Sequence, residues 1–552
     1  MKIPLIVVVL GALTPFVAFA PRAVAQELLR TIPAAANDFE FGFAVAGGAD
    51  LDGDGFDDVV VGNPGSPSAS SLGGRVDVHS GANGAPLHHW GSSGDFDRFG
   101  TSVRFGGDVD GDGIVDVVIG APQFLFASAS QGGFVEVRSG ATGAVLHPVA
   151  GAMGDCGGWS VQGGHDDDAD GTPDFVFGAN QKQLASLAPG YVRVVSGATG
   201  QALLHLSGSI AKGQFGHAVR FVGDANGDGT TEIAVSAANG GVALPFAGHV
   251  FVHAGSNGSL LWQSFGTTPD ERFAFALCAP GDLDGDGRAD LVFGSPGADL
   301  AVNDPGVVTA VRGLDGVPVW SRWGSAAGFG SGGSVGVIGD VDGDGFADLA
   351  AGNEPLLPFP RTIDVLSGRT GALRSAIVDP YGSSSFGHAL DGAGDVNGDG
   401  APELVVGAPT AGGLLQPIGA VGLVTFTCGL VTSIAAPCAP ATNHPILDLD
   451  GCAAAAAAMT LRISNGPALA PGIVCASVSP LPTPIGNGCT WFVGTPFVTA
   501  GPLSSSGTGT FDAPIDLPPQ AQHLSFVMQS AWADPNSATG FVLSDAVFVA
   551  LP

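Results

Sequence analysis

Short apolar runs separated by glycine-rich turns recur along the first three quarters of the chain. In the first unit an apolar segment follows Phe41-Gly42, and a β-branched run occupies Val59-Val60-Val61. Two further segments, 75–79 and 86–88, flank a turn at 80–84. Such runs bounded by glycine turns are typical of short strands. The pattern therefore predicts four strands in each unit.

An acidic loop, Asp50-Leu51-Asp52-Gly53-Asp54-Gly55-Phe56-Asp57-Asp58, lies between the first two predicted strands. It recurs with first residues at Asp108, Asp166, Asp224, Asp282, Asp340 and Asp395, at intervals of 58 residues except for a last interval of 55. Near-constant spacing over seven copies indicates one repeated supersecondary unit. Four strands per unit make one propeller blade, so the sequence predicts an all-β fold with a seven-bladed β-propeller.

The two ends of the repeat region predict how the ring closes. Leu28–Ile32 precedes the first unit, while the last unit ends at Gly419–Phe426 with no hairpin after it. We expect the first strand to complete the seventh blade, which would leave no open sheet edge. The propeller is thus assigned to residues 26–427.

Residues 1–25 are predicted to be a secretory signal peptide. Lys2 supplies the positive start, Ile3–Phe19 the apolar stretch, and Ala23-Val24-Ala25 the small-residue cleavage pattern. The alternative is an uncleaved anchor helix, because the apolar run approaches the ~20 residues that span a bilayer. The first interpretation predicts a mature protein that is secreted or held at the cell surface, outside the cytoplasm, where calcium is abundant.

Oxygen donors alternate along each acidic loop. Side chains at positions 1, 3, 5 and 9 and the backbone carbonyl at position 7 suit a hard cation that takes six to eight oxygens, and glycine at position 6 permits the sharp turn. Position 12 is Val61 in a β run, so the loop is not an EF-hand. The sequence predicts up to seven Ca²⁺ ions. The alternative is a set of acidic surface turns without metal.

The expected ligands follow the same positions in every copy. They are Asp50, Asp52, Asp54, Phe56 and Asp58; Asp108, Asp110, Asp112, Ile114 and Asp116; Asp166, Asp168, Asp170, Thr172 and Asp174; Asp224, Asn226, Asp228, Thr230 and Glu232; Asp282, Asp284, Asp286, Arg288 and Asp290; Asp340, Asp342, Asp344, Phe346 and Asp348; and Asp395, Asn397, Asp399, Ala401 and Glu403. Copy three has Ala169 at position 4, Pro173 beside its last ligand and Gly157-Gly158 in place of Phe-Gly. We expect that site to be the weakest or most distorted.

The period stops at Cys428, and residues 428–552 form a second predicted domain. Short β patterns at 460–464, 489–493, 524–528 and 546–550 predict a small β-sandwich. Five of the seven cysteines lie in this region, and their spacing does not assign the disulfide pairs. The six alanines 453–458 are interpreted as a spacer, with a helical turn as the alternative. By analogy with terminal β modules of secreted bacterial proteins, the domain is expected to serve sorting or surface attachment.

The charge balance limits the classes of partner that the protein can bind. Asp and Glu number 51 against 19 Lys and Arg, which gives a net charge of −32. Nucleic acids and acidic membrane surfaces are therefore disfavoured. About half of the acidic residues stand at the predicted ligand positions, so the imbalance largely reflects the loops.

Phe-Gly, the acidic loop and Gly-Ala-Pro follow one another in order, as at Phe99-Gly100, Asp108–Asp116 and Gly120-Ala121-Pro122. This order resembles the FG-GAP repeats of the integrin α-subunit propeller and its bacterial relatives, over residues 28–427. The resemblance implies a seven-bladed propeller with calcium loops on one face and protein or ligand contacts on the opposite face. Integrins carry such loops on some blades only, whereas every repeat has one here. That difference favours a rigid, symmetric scaffold.

One sequence pattern resembles a catalytic motif but does not occur in the structural context that the motif requires. Gly332-Gly333-Ser334-Val335-Gly336 matches a nucleophile elbow, but it falls in a predicted blade strand instead of a strand–turn–helix. His217 and His388 share one repeat position and are interpreted as packing residues.

The predicted function is a non-catalytic adhesion module for an extracellular protein or glycan. Segments 88–90 and 320–323 are its candidate contacts. The alternative is a carbohydrate-active enzyme on a propeller scaffold.

Overall fold

The computed structural model describes most of the chain between residues 25 and 427, together with separate strands beyond it. The gaps before 427 are 36–37, 39, 66–72, 93, 95, 124–131, 152–154, 182–187, 241–243, 300–304, 325–329, 354–360, 383–384 and 411–418. All regular elements in the described part are β-strands. Within it we find no helix with the length and apolarity needed to cross a bilayer. The predicted signal peptide, apart from Ala25, lies outside the described residues.

Seven four-stranded antiparallel sheets form a propeller. The first strand, β1 (Ala25–Pro33), belongs to the last blade. Blades one to three comprise β2 (Ala44–Ala49), β3 (Asp58–Asn63), β4 (Arg75–His79) and β5 (Pro86–Gly91); β6 (Ser102–Gly107), β7 (Asp116–Ala121), β8 (Phe134–Arg138) and β9 (Val145–Ala150); and β10 (Gly157–His165), β11 (Asp174–Ala179), β12 (Tyr191–Val195) and β13 (Ala202–Ser207).

The remaining blades repeat the same order. They comprise β14 (Phe215–Gly223), β15 (Glu232–Ala237), β16 (His249–His253) and β17 (Leu260–Phe265); β18 (Ala276–Gly281), β19 (Asp290–Ser295), β20 (Val307–Arg312) and β21 (Pro318–Trp323); β22 (Ser331–Gly339), β23 (Asp348–Asn353), β24 (Thr362–Leu366) and β25 (Leu373–Val378); and β26 (Ala389–Gly394), β27 (Glu403–Ala408) and β28 (Ala420–Thr427), with β1 as the fourth strand of blade seven. The predicted all-β, seven-bladed fold is confirmed.

The ring closes through the chain's first strand, as predicted. β1 pairs antiparallel with β28, with Leu28 opposite Val424, and β2 packs beside β26. Arg30 on β1 also reaches blade one, where its Nη2 donates a hydrogen bond to the carbonyl oxygen of Ala82 at 2.7 Å. On the other side, Thr31 Oγ1 lies 3.1 Å from the hydroxyl of Tyr381. The seam is therefore held from both neighbouring blades.

The second strand of each blade forms the core. All residues of β3, β7, β11, β15, β19, β23 and β27 are buried. These strands lie between two others of their own sheet and between two blades, which explains why the middle of each is a continuous apolar run. Burying each Val side chain, such as Val60, contributes roughly 1.5–3 kcal/mol.

Neighbouring blades meet at a pair of glycines. A Cβ built on Gly62 of β3 would lie 2.1 Å from the carbonyl oxygen of Gly100, the glycine of the next Phe-Gly. The same approach recurs at Gly120, Gly178, Gly294 and Gly407, at 2.0–2.1 Å from the equivalent glycine. At the junction of blades four and five the pair is instead Ser236 and Ala274, whose φ is +53°. Phe41 and Phe99, which precede their glycines, are buried.

Beyond residue 427 the structure describes strands in three sheets. A six-stranded sheet contains β29 (Thr432–Ser433), β32 (Pro471–Ser477), β35 (Phe497–Ser504), β37 (Ser525–Ala533), β38 (Phe541–Leu543) and β39 (Val547–Ala550); a three-stranded sheet contains β30 (Ile446–Asp450), β31 (Met459–Ser464) and β36 (Phe511–Ile515); and a hairpin pairs β33 (Thr483–Gly486) with β34 (Cys489–Trp491). The four predicted β patterns lie on β31, β34, β37 and β39. Sandwich packing of this region stays a prediction, and the alanine run falls outside the described residues.

We expect Gly62→Ala to lower the free energy of unfolding by about 3 kcal/mol, since the new methyl group would meet backbone that cannot rotate away. Ser236→Ala is the matched control at the same repeat position, where a Cβ is already accommodated. It should cost about 1 kcal/mol for the hydrogen bond that Ser236 Oγ accepts from the N–H of Ala218. Denaturant unfolding in excess calcium measures both variants. Equal losses would contradict the proposed importance of the glycine contact.

Candidate metal centres in the acidic loops

Each acidic loop joins the first and second strands of its blade and is shaped by its own carboxylates. In copy one, Asp50 accepts hydrogen bonds from the N–H groups of Gly53 (2.7 Å) and Gly55 (2.8 Å). Asp52 Oδ1 accepts from Asp54 N–H at 3.0 Å. Gly55 has a φ of +89°, a conformation that favours glycine. The backbone thus engages one oxygen of Asp52 and leaves the other for a cation.

The position-9 carboxylate is the buried anchor of each loop. In copy one, Asp58 is fully buried and accepts hydrogen bonds from the N–H groups of Leu51 (2.8 Å) and Gly81 (3.0 Å). Gly81 belongs to the turn between the third and fourth strands, so this carboxylate links two loops of one blade. The equivalent Asp116 bonds in the same way to Val109 and Gly140.

These anchors lie where a negative charge is costly without a cation. Burial, opposed by the backbone hydrogen bonds and reinforced by neighbouring acidic groups, raises the pKa of Asp58 and Asp116 to about 6. The same causes raise the pKa of Asp348 to about 8, and burial raises that of Glu403 to about 7. A bound divalent cation would reverse this preference for the protonated form.

Five of the loops bring three carboxylates together, with one oxygen from each within 4.8 Å of the others. The clusters are Asp50, Asp52 and Asp58; Asp108, Asp110 and Asp116; Asp166, Asp168 and Asp174; Asp282, Asp284 and Asp290; and Asp340, Asp342 and Asp344. All-oxygen sets of this kind suit a hard cation such as Ca²⁺. These five clusters can hold metal ions, whereas binding at all seven loops stays a prediction.

Copies four and seven are arranged differently at position 3. The Asn226 amide nitrogen donates to Glu232 Oε1 at 2.7 Å, and the Asn397 amide nitrogen donates to Glu403 Oε1 at 2.8 Å. The longer glutamate at position 9 therefore receives an amide proton where the other copies place a second carboxylate. A cation would have to displace this bond or turn the amide, so we expect weaker binding at these two loops.

Copy three departs from the pattern at two positions. Ala169 replaces glycine at position 4 and has a φ of +60°, which is strained for a residue with a side chain. Asp167 stands at position 2, which is apolar in the other copies, and both of its carboxylate oxygens are buried with no hydrogen-bond partner among the described residues. Burial and the neighbouring Asp174 raise the pKa of Asp167 to about 7. The expectation of a distorted third site stays a prediction, with Asp167 as a feature that sequence reasoning missed.

Copy six contains a cation of the protein itself. The Arg374 guanidinium contacts Asp342 and lies 3.8 Å from Asp344 Oδ2. Asp342 is buried, unlike the exposed Asp52 and Asp110 at the same position of copies one and two. Strand pairing aligns Arg374 with Leu or Val in the other blades, as at Leu87 and Val319. When the repeats are aligned, Arg374 is a basic residue at a position that is otherwise Leu or Val. This difference was the sequence signal for a cation of the protein beside the sixth loop.

The remaining candidate residues occupy structural positions in the described part of the chain. Ser334 lies on β22 and donates to the carbonyl oxygen of Gly387 at 2.5 Å, in agreement with a strand rather than a nucleophile elbow. Segments 88–90 and 320–323 lie on the outermost strands β5 and β21. The Trp320 indole N–H donates to Gly368 of the next blade at 2.7 Å, so this side chain is an inter-blade contact.

A seven-bladed β-propeller with acidic hairpin loops on its blades is the class of protein that this fold and these sites define. Four segments, residues 41–79, 99–137, 275–311 and 386–424, match the family described as FG-GAP repeat. They fall on blades one, two, five and seven. These four segments are therefore FG-GAP repeats, as the motifs predicted, and the chain is similar to integrin α subunits in this region.

Curated relatives include integrin α subunits. The chain is 29% identical to "Integrin alpha-V" of Gallus gallus over 214 residues, 34% of this chain and 19% of that protein. It is 35% identical to "Integrin alpha-5" of Xenopus laevis over 156 residues, 25% of this chain and 14% of that protein. With "Integrin alpha-IIb" of Homo sapiens it shares 32% identity over 151 residues, 23% of this chain and 14% of that protein. The chain thus spans less than a fifth of these relatives.

Removal of divalent cations should destabilise the propeller. A cation present at 100 times the dissociation constant of its site adds about 2.7 kcal/mol to the free energy of unfolding. The contributions of the five acidic clusters should add up. We expect the melting temperature in excess EDTA to fall by at least 10 °C, in the range that ~5 kcal/mol would produce, and to recover with CaCl₂ but less with MgCl₂. Identical melting curves, after mass spectrometry has verified metal removal, would reject structural cation binding.

We expect Arg374→Leu to strengthen calcium binding at the sixth loop about tenfold, because it removes a resident positive charge beside Asp342 and Asp344. Isothermal titration calorimetry of the metal-free protein would show one further high-affinity equivalent. Arg193→Leu is the matched control, since Arg193 lies on β12 of blade three, where its guanidinium carbon is 4.9 Å from the ring centroid of Tyr191. Equal titrations for both variants and the wild type would contradict this role of Arg374.

Proposed function

We propose that this chain is a secreted or cell-surface propeller that binds calcium at up to seven loops and an extracellular protein or glycan on its opposite face, without catalysis. In this proposal residues 1–25 are the export signal and residues 428–552 a surface-attachment module. The integrin α relatives support an adhesive role. The observation that carries the proposal is a ring of aromatic side chains at one mouth of the central channel.

This aromatic collar occupies one repeat position, the residue after Phe-Gly or after the two residues that replace Phe-Gly in blades three, five and six. Its seven members are Phe43, Thr101, Trp159, His217, Phe275, Gly333 and His388. All of them line one cavity of about 200 Å³. Five of the seven are aromatic or imidazole rings, and the position carries five different residue types across the seven blades. Such variation at an otherwise repeated position is typical of a ligand-contact surface on a repeat scaffold.

The rings of the collar form two arcs. His217 lies between Trp159 and Phe275, with ring centroids 5.9 Å and 4.7 Å away. On the other side, the Phe43 and His388 rings are 4.7 Å apart. Thr101 and Gly333 separate the arcs. Half-buried aromatic faces of this kind bind cationic side chains and the apolar faces of sugars.

The collar and the acidic loops lie at opposite ends of the same strands. Phe43 immediately precedes β2, and the loop that begins at Asp50 immediately follows it. In every blade the collar residue lies just before the inner strand or at its third position, as Trp159 does in β10, and the acidic loop follows the strand. Calcium at the loops would therefore stiffen the inner strands that present the collar without occupying the ligand face. This separation supports a structural cation rather than one that contacts the ligand.

The alternative is a carbohydrate-active enzyme, a polysaccharide lyase or hydrolase, and the hydrolase form finds no support at this mouth. Hydrolysis with two carboxyl groups needs an acid and a second carboxylate on either side of the bond. Among the described residues that line the collar and the channel beneath it, the acidic ones reduce to Asp391. The acidic residues of the loops lie at the far ends of the strands.

We expect the double variant Trp159→Ala, Phe275→Ala to lose ligand binding at least tenfold while its melting temperature in calcium stays within a few degrees of the wild type. Phe265→Ala removes an exposed aromatic ring from the outer strand β17 and is the matched control. Binding would be measured on a glycan array and by pull-down of surface proteins, with calcium and with EDTA. Undiminished binding by the double variant would overturn the collar as ligand site, and cleavage of an arrayed glycan would overturn the non-catalytic role.

A further inference from the structure

A second repeat position also varies from blade to blade, and it lies deeper in the channel. It is the residue four places before each acidic loop. Its members are Ala46, Arg104, Gln162, Arg220, Cys278, Gly336 and Asp391. Six of these seven, all but Ala46, line one cavity of about 250 Å³ on the inner strands. Small and apolar residues such as the surrounding glycines and valines are expected where the inner strands line a channel. The charged side chains are not repeated from blade to blade, so the repeat does not explain them.

The charges at this level do not balance. Arg104 and Arg220 supply two guanidinium groups, and Asp391 supplies one carboxylate. Arg104 Nη1 lies 3.8 Å from Asp391 Oδ2, so this pair is neutral as a unit. The remaining lining residues are uncharged, and burial raises the pKa of the Cys278 thiol to about 12. One positive charge is therefore left within the cavity.

The excess positive charge is shared by Arg104 and Arg220, because Asp391 attracts both guanidinium groups. Arg220 is the less tightly paired of the two arginines. Its Nη1 donates to the carbonyl oxygen of Val219 on its own strand at 2.7 Å. Burial, and then the positive charge of Arg104, lower the pKa of Arg220 to about 9. An arginine in this position remains charged at neutral pH but at an energetic cost. A counter-ion between the two guanidinium groups would remove that cost.

We propose that this level of the channel binds one small monovalent inorganic anion, such as chloride, between Arg104 and Arg220. The charge of the anion is set by the single excess positive charge, because two arginines face one aspartate. The cavity is several times larger than the ~30 Å³ that one water molecule occupies, so it can admit an anion together with water. The site lies within the channel, below the collar, and does not involve the acidic loops.

The test compares anions at constant ionic strength. Purified protein saturated with calcium gluconate is titrated with sodium bromide against sodium gluconate, a bulkier organic anion, and the melting temperature is recorded. Crystals grown in bromide are examined for anomalous scattering beside Arg220. We expect bromide to raise the melting temperature and to give an anomalous peak within hydrogen-bond distance of Arg104 or Arg220.

Three variants make the result specific. Arg220→Gln, which introduces the residue found at the equivalent Gln162, should raise the half-saturating bromide concentration at least tenfold and abolish the anomalous peak. Asp391→Asn removes the competing carboxylate and should lower that concentration. Arg312→Gln removes an exposed arginine paired with Asp315 and should leave it unchanged. The absence of an anomalous peak in the wild type, or an equal bromide response in Arg220→Gln, would overturn the proposal.

Discussion

The propeller depends on the close approach of two backbones at each blade junction. The glycine of the Gly-x-Pro turn in one blade receives the carbonyl oxygen of a glycine at the start of the next blade, with no room for a Cβ at Gly62 or Gly407. In four blades a buried phenylalanine precedes the second glycine, as at Phe41 and Phe99. A glycine pair occupies six of the seven junctions, so most blades are set against their neighbours by the same geometry. The two halves of the repeat motif are thus the two sides of one interface.

A uniform blade spacing places equivalent residues at equivalent heights. The acidic loops follow every inner strand at one end, and the collar lies at the beginning of every inner strand, at the other end. Between them the channel-lining position carries Arg104, Arg220 and Asp391, which no symmetry demands. The scaffold is therefore repetitive where backbone meets backbone and variable where side chains meet the channel. This division explains how a regular sequence can carry specific chemistry.

The strands, the blade number and the closure by Leu28–Ile32 could be read from the sequence, because each follows from local pattern and a constant period. Contacts between distant strands could not. Arg374 reaches the sixth loop only because β25 pairs beside β24, and Trp320 proves to be an inter-blade contact through Gly368. The orientation of the Asn226 amide toward Glu232 likewise depends on loop geometry. The collar could have been predicted from the sequence, since an alignment of the seven repeats places all of its members at one position.

The strand pair at the seam joins the beginning of the propeller to its end, with Leu28 opposite Val424. Contacts so distant along the chain form late, because the long intervening loop must be closed before they contribute. Until β28 is in place, β1 remains an unpaired strand edge, and such an edge is prone to pair with other chains. A chain that lacks its last blade strand has no partner for its first. Completion of the last blade therefore removes the unpaired edge of the chain's β1 strand.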